Sequence, residues 1–357
     1  VPGRYPAIAA FILILCRANA AQQPITWGST VVLDSNPTSW ARMAQLSDGS
    51  WLAAYMFATT PNRIRVQRSF DSMRTWQFIT DVVEDGRDLD NPELLVMPNG
   101  IVELAIRSVI VGQSYWIETY QSLDNGNSFQ YQSQVDWDHH VAGVFEPYLY
   151  LLPNGQLAVF YTNDTHEQDT PSYSQVLSEK VSGDGGFTWG PEIYAIGQPG
   201  ASRPGEANIV PLPDGELAMF FEMCGTENCL GHVSYSSDGM SWSGEGPIIP
   251  YTFQDIQAVE MTNGLIVATS NLHEVVVSAD YTNSWIDTKQ TVFTYGSWPG
   301  VYQTGQNEFA IVMTGAGEQN QVGEYIRFGT ITPADVETTP SGILCRNPTL
   351  TRPQNCH

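Results

Sequence analysis

Three glutamates stand where a chain of this composition has little reason to place a charge. Glu146 opens the segment VFEPYLYLLPNGQLAVFYTND between Phe145 and Pro147, Glu222 closes the apolar run LAMFFEMCG, and Glu206 sits in SRPGEANIV. A carboxylate at the end of a buried strand is costly to desolvate unless it is hydrogen-bonded or paired. It is therefore a structural partner of an arginine, or a group kept for proton transfer or nucleophilic attack. Arg42, Arg107 and Arg203 fall near strand ends too, and could pair with the glutamates or hold hydroxyls or carboxylates of a ligand. His139-His140 has no third ligand at a zinc-site spacing, so neither a metal site nor another cofactor is expected.

The elements that must position these residues repeat along the chain. QLSDGSWLAAYMF, VMPNGIVELAIRS, LLPNGQLAVFYTN, PLPDGELAMFFEM and EMTNGLIVATSNL carry turn glycines at Gly49, Gly100, Gly155, Gly215 and Gly264, and YQTGQNEFAIVMT is a degenerate sixth copy. Apolar runs around Asp-Gly or Asn-Gly read as β-hairpins. Their separation of 41 to 60 residues suits one four-stranded blade per copy.

A second motif follows most of the hairpins. Ser122–Phe129 and Ser182–Trp189 fit Ser-x-Asp-x-Gly-x-x-aromatic, Ser69–Trp76 and Ser278–Trp285 keep the frame with Met73 and Thr282 in place of Gly, and Ser236–Trp242 is one residue short. It resembles the Asp-box of sialidase-like propellers, a turn in which Asp bonds backbone amides, and it is read here as structural. The expected fold is all-β: a six-bladed β-propeller with TWGSTVVL supplying the strand that closes the ring. The expected organisation is a secretory leader over 1–20, the propeller over 21–332 and a tail over 333–357.

If the blades are equivalent, so are positions counted from each turn glycine. Nine residues before it lie Trp40, Asn91, Glu146, Glu206 and Asp255; seven after it lie Met56, Arg107, Thr162, Glu222 and Asn271. Polar groups thus collect at the ends of inner strands on the face opposite the turns. Tyr148 and Trp298, like Trp137 and Tyr302, offer rings that could stack on a sugar or fill the core.

Composition limits the partners. Asp and Glu outnumber Lys and Arg 38 to 15, a net charge of −23, which repels nucleic acid and anionic membranes and leaves a neutral or cationic ligand. The run AIAAFILILC, then Arg17 and Ala18-Asn19-Ala20, has the pattern of a secretory signal cleaved after Ala20 and is too short to span a bilayer. Secretion would let cysteines pair, and 224–229 with 345–356 is the simplest of three connectivities. Asn163-Asp164-Thr165 is the one unblocked glycosylation sequon.

FEPYLYLLPNGQLAVFYTND, SRPGEANIVPLPDGELAMFFEMCG, DLDNPELLVMPNGIVELAIR and ARMAQLSDGSWLAAY together resemble the fungal exo-1,5-α-L-arabinanases, glycoside hydrolase family 93. The resemblance implies a hydrolase releasing arabinobiose from the non-reducing end of arabinan with retention of configuration; a monomer acting on neutral cell-wall arabinan is expected. It implies Glu146 as general acid/base and Glu222 as nucleophile, with Glu206 as the carboxylate able to replace or tune one of them. Arg42, Asn91, Arg107, Arg203, Glu206, Asp255, Tyr148 and Trp298 would bind substrate. A sialidase reading lacks the early Phe/Tyr-Arg-Ile-Pro signature, since Arg42 sits in SWARMAQ. A propeller lectin remains the non-catalytic alternative.

Overall fold

A computed structural model describes residues 24–139, 143–316 and 322–337, together with a short strand at Leu344–Cys345. Among the described residues the strands form six antiparallel sheets. Their first strands pack side by side in a closed circuit, so the sheets are the blades of a six-bladed propeller. The inner strands are Thr38–Gln45, Asp88–Val96, Val144–Leu151, Arg203–Pro211, Gln257–Glu260 and Ser297–Gln303, for blades 1 to 6.

Second strands explain the long apolar runs. Each lies between two neighbouring blades, so both its faces are covered and alternation disappears. In blade 3 every residue of Leu157–Asn163 is buried, and between blades 3 and 4 Phe160 packs with Met219, Phe221 and Met223. The hairpins reverse at the turn glycines, where φ runs from 83° at Gly49 to 88° at Gly215. One residue earlier, Asp48, Asn99, Asn154, Asp214 and Asn263 each accept a bond from the backbone N–H two positions on, which fixes the turn. The sixth hairpin closes differently, with the Thr304 and Gly305 amides both donating to Glu308 O.

Third and fourth strands are joined by the Ser-x-Asp turns. In blade 1 Asp71 Oδ1 accepts the amides of Arg74 and Thr75 at 3.1 and 2.8 Å, and Asp124, Asp184, Asp238 and Asp280 repeat the arrangement. By strand direction these turns lie on the same side as the hairpin glycines, away from the polar columns.

Ring closure is by Thr26–Asp34, which pairs with Glu324–Thr330 as the outer strand of blade 6. Blade 4 departs from four strands per copy. It has three, because the returning segment GEGPIIP makes only an isolated bridge between His232 and Ile248. At Gly246, φ 59°, an added Cβ would sit 1.8 Å from Val233 O, so this close approach requires glycine and no regular ladder forms. Leu344–Cys345 adds a short edge to the outer strand of blade 5, Ser284–Thr291. Residues 1–20, expected to be a secretory leader, and Cys356 lie outside the described residues; Cys224 and Cys229 form a disulfide.

Candidate active site

Each blade turns one left-handed residue toward the axis, five of them at a bulge in the inner strand and Asp255 just ahead of the inner strand of blade 5. Trp40, Asn91, Glu146, Glu206, Asp255 and Trp298 have φ of 61°, 43°, 57°, 55°, 46° and 54°. Register breaks at these points, between Ser39 and Arg42, Asp90 and Glu93, Phe145 and Tyr148, Gly205 and Asn208, and Ser297 and Gly300. A bulge with one left-handed residue re-aims a side chain that would otherwise lie against a neighbouring blade. Non-glycine residues there cost about 1–3 kcal/mol each, which the surrounding structure must offset. Glu206 is therefore a bulge residue within a strand, not part of a loop. Around the ring the six make a polarised floor: tryptophans on blades 6 and 1, then Asn, Glu, Glu and Asp. Trp40 and Trp298 lean together with centroids 4.8 Å apart.

The second column interlocks with the first. Thr314, the blade 6 equivalent, accepts the Trp40 amide at 3.1 Å, and Asn271 accepts the Trp298 amide at 2.8 Å. At blade 5 the same bond falls on Glu222, whose Oε2 accepts the Asp255 amide at 2.9 Å. At blade 4 the Glu206 amide meets Glu146 Oε2 at 3.3 Å, and Thr162 Oγ1 donates to that oxygen at 2.6 Å. Gly205 makes this approach possible: a Cβ there would stand 3.0 Å from Glu146 Oε2. Gly205 is also the register partner of Glu222, so the two glutamates flank one glycine. The Glu222 Oε1 atom lies 3.3 Å from Cys224 Sγ, a disulfide sulfur with no proton to give.

Arg42 is the buried cation among these acids. Its guanidinium lies 3.6 Å from Asp255 Oδ1, 3.7 Å from Glu93 Oε2 and 3.9 Å from Glu206 Oε2. Burial opposes its charge, but Asp255, Tyr302, Glu206 and Glu93 outweigh that and hold it ionised. Burial, then the Glu146 charge, pushes Glu222 up to about 8. Burial pushes Glu93 up to about 8 against the pull of Arg42. Glu146 and Asp255 are raised chiefly by burial, and Glu206 well above its usual value by burial followed by Asp255 and Glu146. Five desolvated carboxyls, three of them beside the one Arg42 guanidinium, cannot all ionise near neutrality, so the cluster retains protons.

Below the floor is an axial cavity of about 320 Å³, lined by Arg42, Glu93, Tyr148, Asn208, Gln257 and Tyr302 among others. Tyr148 faces this cavity, its hydroxyl donating to Ile209 O at 3.3 Å. Arg107 stands beside Asp90 at 3.5 Å and over the Tyr115 and Phe145 rings; burial pushes Asp90 up to about 6. Arg203 pairs with Asp164 at 3.1 Å and donates to Ser174 O at 3.2 Å. All three arginines thus have acidic neighbours. Trp137 stacks on His139 on blade 2, and His140 lies outside the described residues. Among the described residues Glu222 gathers with Cys224 and Cys229 at metal-ligand distances, but both sulfurs are consumed by the disulfide.

Glu93 was not singled out by sequence. Its signal was alternation: it follows Asn91 by two, as Arg42 follows Trp40 and Tyr148 follows Glu146, and that row lines the channel.

No family model matches the sequence, and no curated protein matches it. Solved structures do. The α-L-arabinanase of Penicillium chrysogenum, complexed with arabinobiose, matches with a TM-score of 0.73 and 21% identity over 85% of this chain and 98% of its own. The family 93 α-L-arabinofuranosidase of Fusarium graminearum, also with arabinobiose, gives 0.72 and 20% over 87% and 99%. The NanB sialidase of Streptococcus pneumoniae gives 0.61 and 12% over 85% and 69%. At these identities the likeness is one of fold.

Proposed function

We propose that the protein is a secreted, exo-acting glycoside hydrolase that cleaves α-1,5-linked L-arabinan to arabinobiose with retention. The observation that carries this is the pair Glu146 and Glu222. Both are partly buried, each is held through Oε2 by the amide of the next blade's left-handed residue, and they flank Gly205. Solved propellers of the same fold act on arabinan-type substrates or were captured with arabinobiose.

In this reading protonated Glu146 donates to the departing glycosidic oxygen while Glu222 attacks the anomeric carbon. Water, deprotonated by Glu146, then releases the sugar. Retaining chemistry needs the two carboxyls about 5–5.5 Å apart. The raised values suit an acid that must stay protonated, and ionisation of Glu222 is favoured by its backbone N–H bond and by loss of charge on Glu146 when that group holds the proton. Arg42, Asn91, Arg203, Glu206 and Asp255 would bind hydroxyls, Arg107 and Tyr148 would support the pocket, and Trp298 with Trp40 would take a sugar face. The Cys224–Cys229 disulfide fits an oxidising compartment, as secretion requires.

Incubating purified protein with debranched arabinan and separating the products tests the activity. Arabinobiose as the first product is expected; folded protein that releases no sugar refutes the proposal. The roles are tested by Glu222→Gly with azide. Rescue should give the β-configured glycosyl azide, and an α-azide would mark Glu222 as the acid/base.

A further inference from the structure

The outer half of blade 2 carries a row of side chains that the axial site does not use. Its third and fourth strands, Ser114–Ser122 and Gln130–Asp138, pair Trp116 with Trp137, Glu118 with Gln134 and Tyr120 with Tyr131. Directly opposed residues of an antiparallel pair project from one face. Three rungs therefore follow one another: aromatic, polar, aromatic. This face looks toward blade 1, since Tyr120 joins the core shared by Leu52, Ile64 and Val66 of that blade.

The connection from blade 1 to blade 2 crosses in front and leaves a recess of about 500 Å³ bounded by Val83, Arg87, Glu118, Tyr131 and Gln134. Ligand sites span roughly 300–1,000 Å³. Arg87 Nη1 lies 3.2 Å from both Glu84 Oε2 and Glu118 Oε1, and its guanidinium sits 4.0 Å above Trp116. The polar groups are thus fixed in place. Two of the four rings are open to solvent: Tyr131 is 53% and Trp137 49% exposed, both on the outermost strand of the blade, whereas Tyr120 is buried and Trp116 lies under Arg87.

Carboxylate, guanidinium and amide groups set between exposed rings match a polyhydroxylated chain, whose C–H faces stack and whose hydroxyls both donate and accept. Net charge of −23 disfavours a polyanion. A folded protein partner would need a face of about 800 Å², which a narrow recess does not offer. We propose that this groove is a second, non-catalytic binding site for a stretch of neutral polysaccharide. Naming that chain as arabinan rests on the function proposed above.

Affinity electrophoresis separates the two ideas. Gels hold debranched arabinan, xylan or polygalacturonate, and all proteins carry Glu222→Gln so that no polymer is consumed. Tyr131→Ala with Trp137→Ala should weaken retardation by arabinan about tenfold, the effect of losing roughly 1.4 kcal/mol. Val83→Trp, which fills the recess from an exposed position, should do the same without removing a ring. In the parent enzyme these changes should leave kcat/KM on arabinotriose unaltered. Equal retardation of parent and variants in every neutral gel overturns the site, and so does stronger retardation by polygalacturonate than by either neutral polymer. Retardation by xylan alone, lost in the variants, keeps the site and removes the arabinan assignment.

Discussion

Replacing Thr162 by Val deletes one hydroxyl from the candidate acid at nearly constant volume. Thr162 is fully buried, and its Oγ1 donates to Glu146 Oε2 at 2.6 Å, a bond that favours the ionised carboxylate against the burial that raises it. A hydrogen bond to a charged group contributes about 1.5–3 kcal/mol. One pK unit corresponds to about 1.4 kcal/mol, so removal should raise Glu146 by about 1–2 units. The Glu206 amide at 3.3 Å remains on the same oxygen, which favours the lower end. An acid must be protonated in the free enzyme, so the alkaline limb of kcat/KM should move up by about one unit. The assay is kcat/KM on arabinotriose from pH 4 to 10 for both proteins, with circular dichroism to show equal folding. An acidic limb that moves up instead would assign Glu146 as the nucleophile. If neither limb moves, the hydrogen bond tunes no catalytic group and the reasoning fails.

Gly205→Ala would place a Cβ 3.0 Å from Glu146 Oε2 and 3.2 Å from Thr162 Oγ1; activity should fall about 100-fold with little loss of melting temperature, because displacement of a reacting group is punished far more than a small shift in packing. A parallel loss of Tm and activity would contradict this. Buried Glu179 and Glu324 are each pushed up to about 8 by burial, and Glu103 to about 7. The folded state therefore holds protons on these groups that the unfolded chain releases near pH 4.5, so their contribution to stability is greatest below that point and is lost as pH rises through about 8. Thermal melting across pH 5 to 9 should show the decline, and Glu179→Gln should flatten it; a Tm that climbs with pH refutes the assignment. Asn163 is 2% exposed and its amide donates to Glu192 Oε1 at 2.8 Å. Despite its sequon, intact-mass analysis of protein secreted from a eukaryotic host should find no glycan there.

Much of this is legible in the sequence. Turn glycines and Ser-x-Asp turns are local: a left-handed φ or a side chain bonding amides two to four residues on depends only on neighbours in sequence. Their recurrence gave the blades, and counting from Gly155 and Gly215 placed Glu146 and Glu206 in one column. Blade 4 was misjudged because a fourth strand depends on how closely the chain can follow Val233, which Gly246 and Pro247 allow only at a single bridge. Glu93 was missed because its neighbours in PELLV read as ordinary strand, and only the packing of blade 1 against blade 2 brings Arg42 to 3.7 Å from it.

By itself the sequence determined that the chain repeats, where each strand turns and which face collects acids, since those follow from periodicity and local backbone preference. Which acids meet was decided by the tertiary structure alone. Glu146 is held by an amide of blade 4 and Glu222 by one of blade 5. Those bonds exist because six left-handed residues converge on one axis, and the protonation of the cluster depends on burial that no single blade can supply.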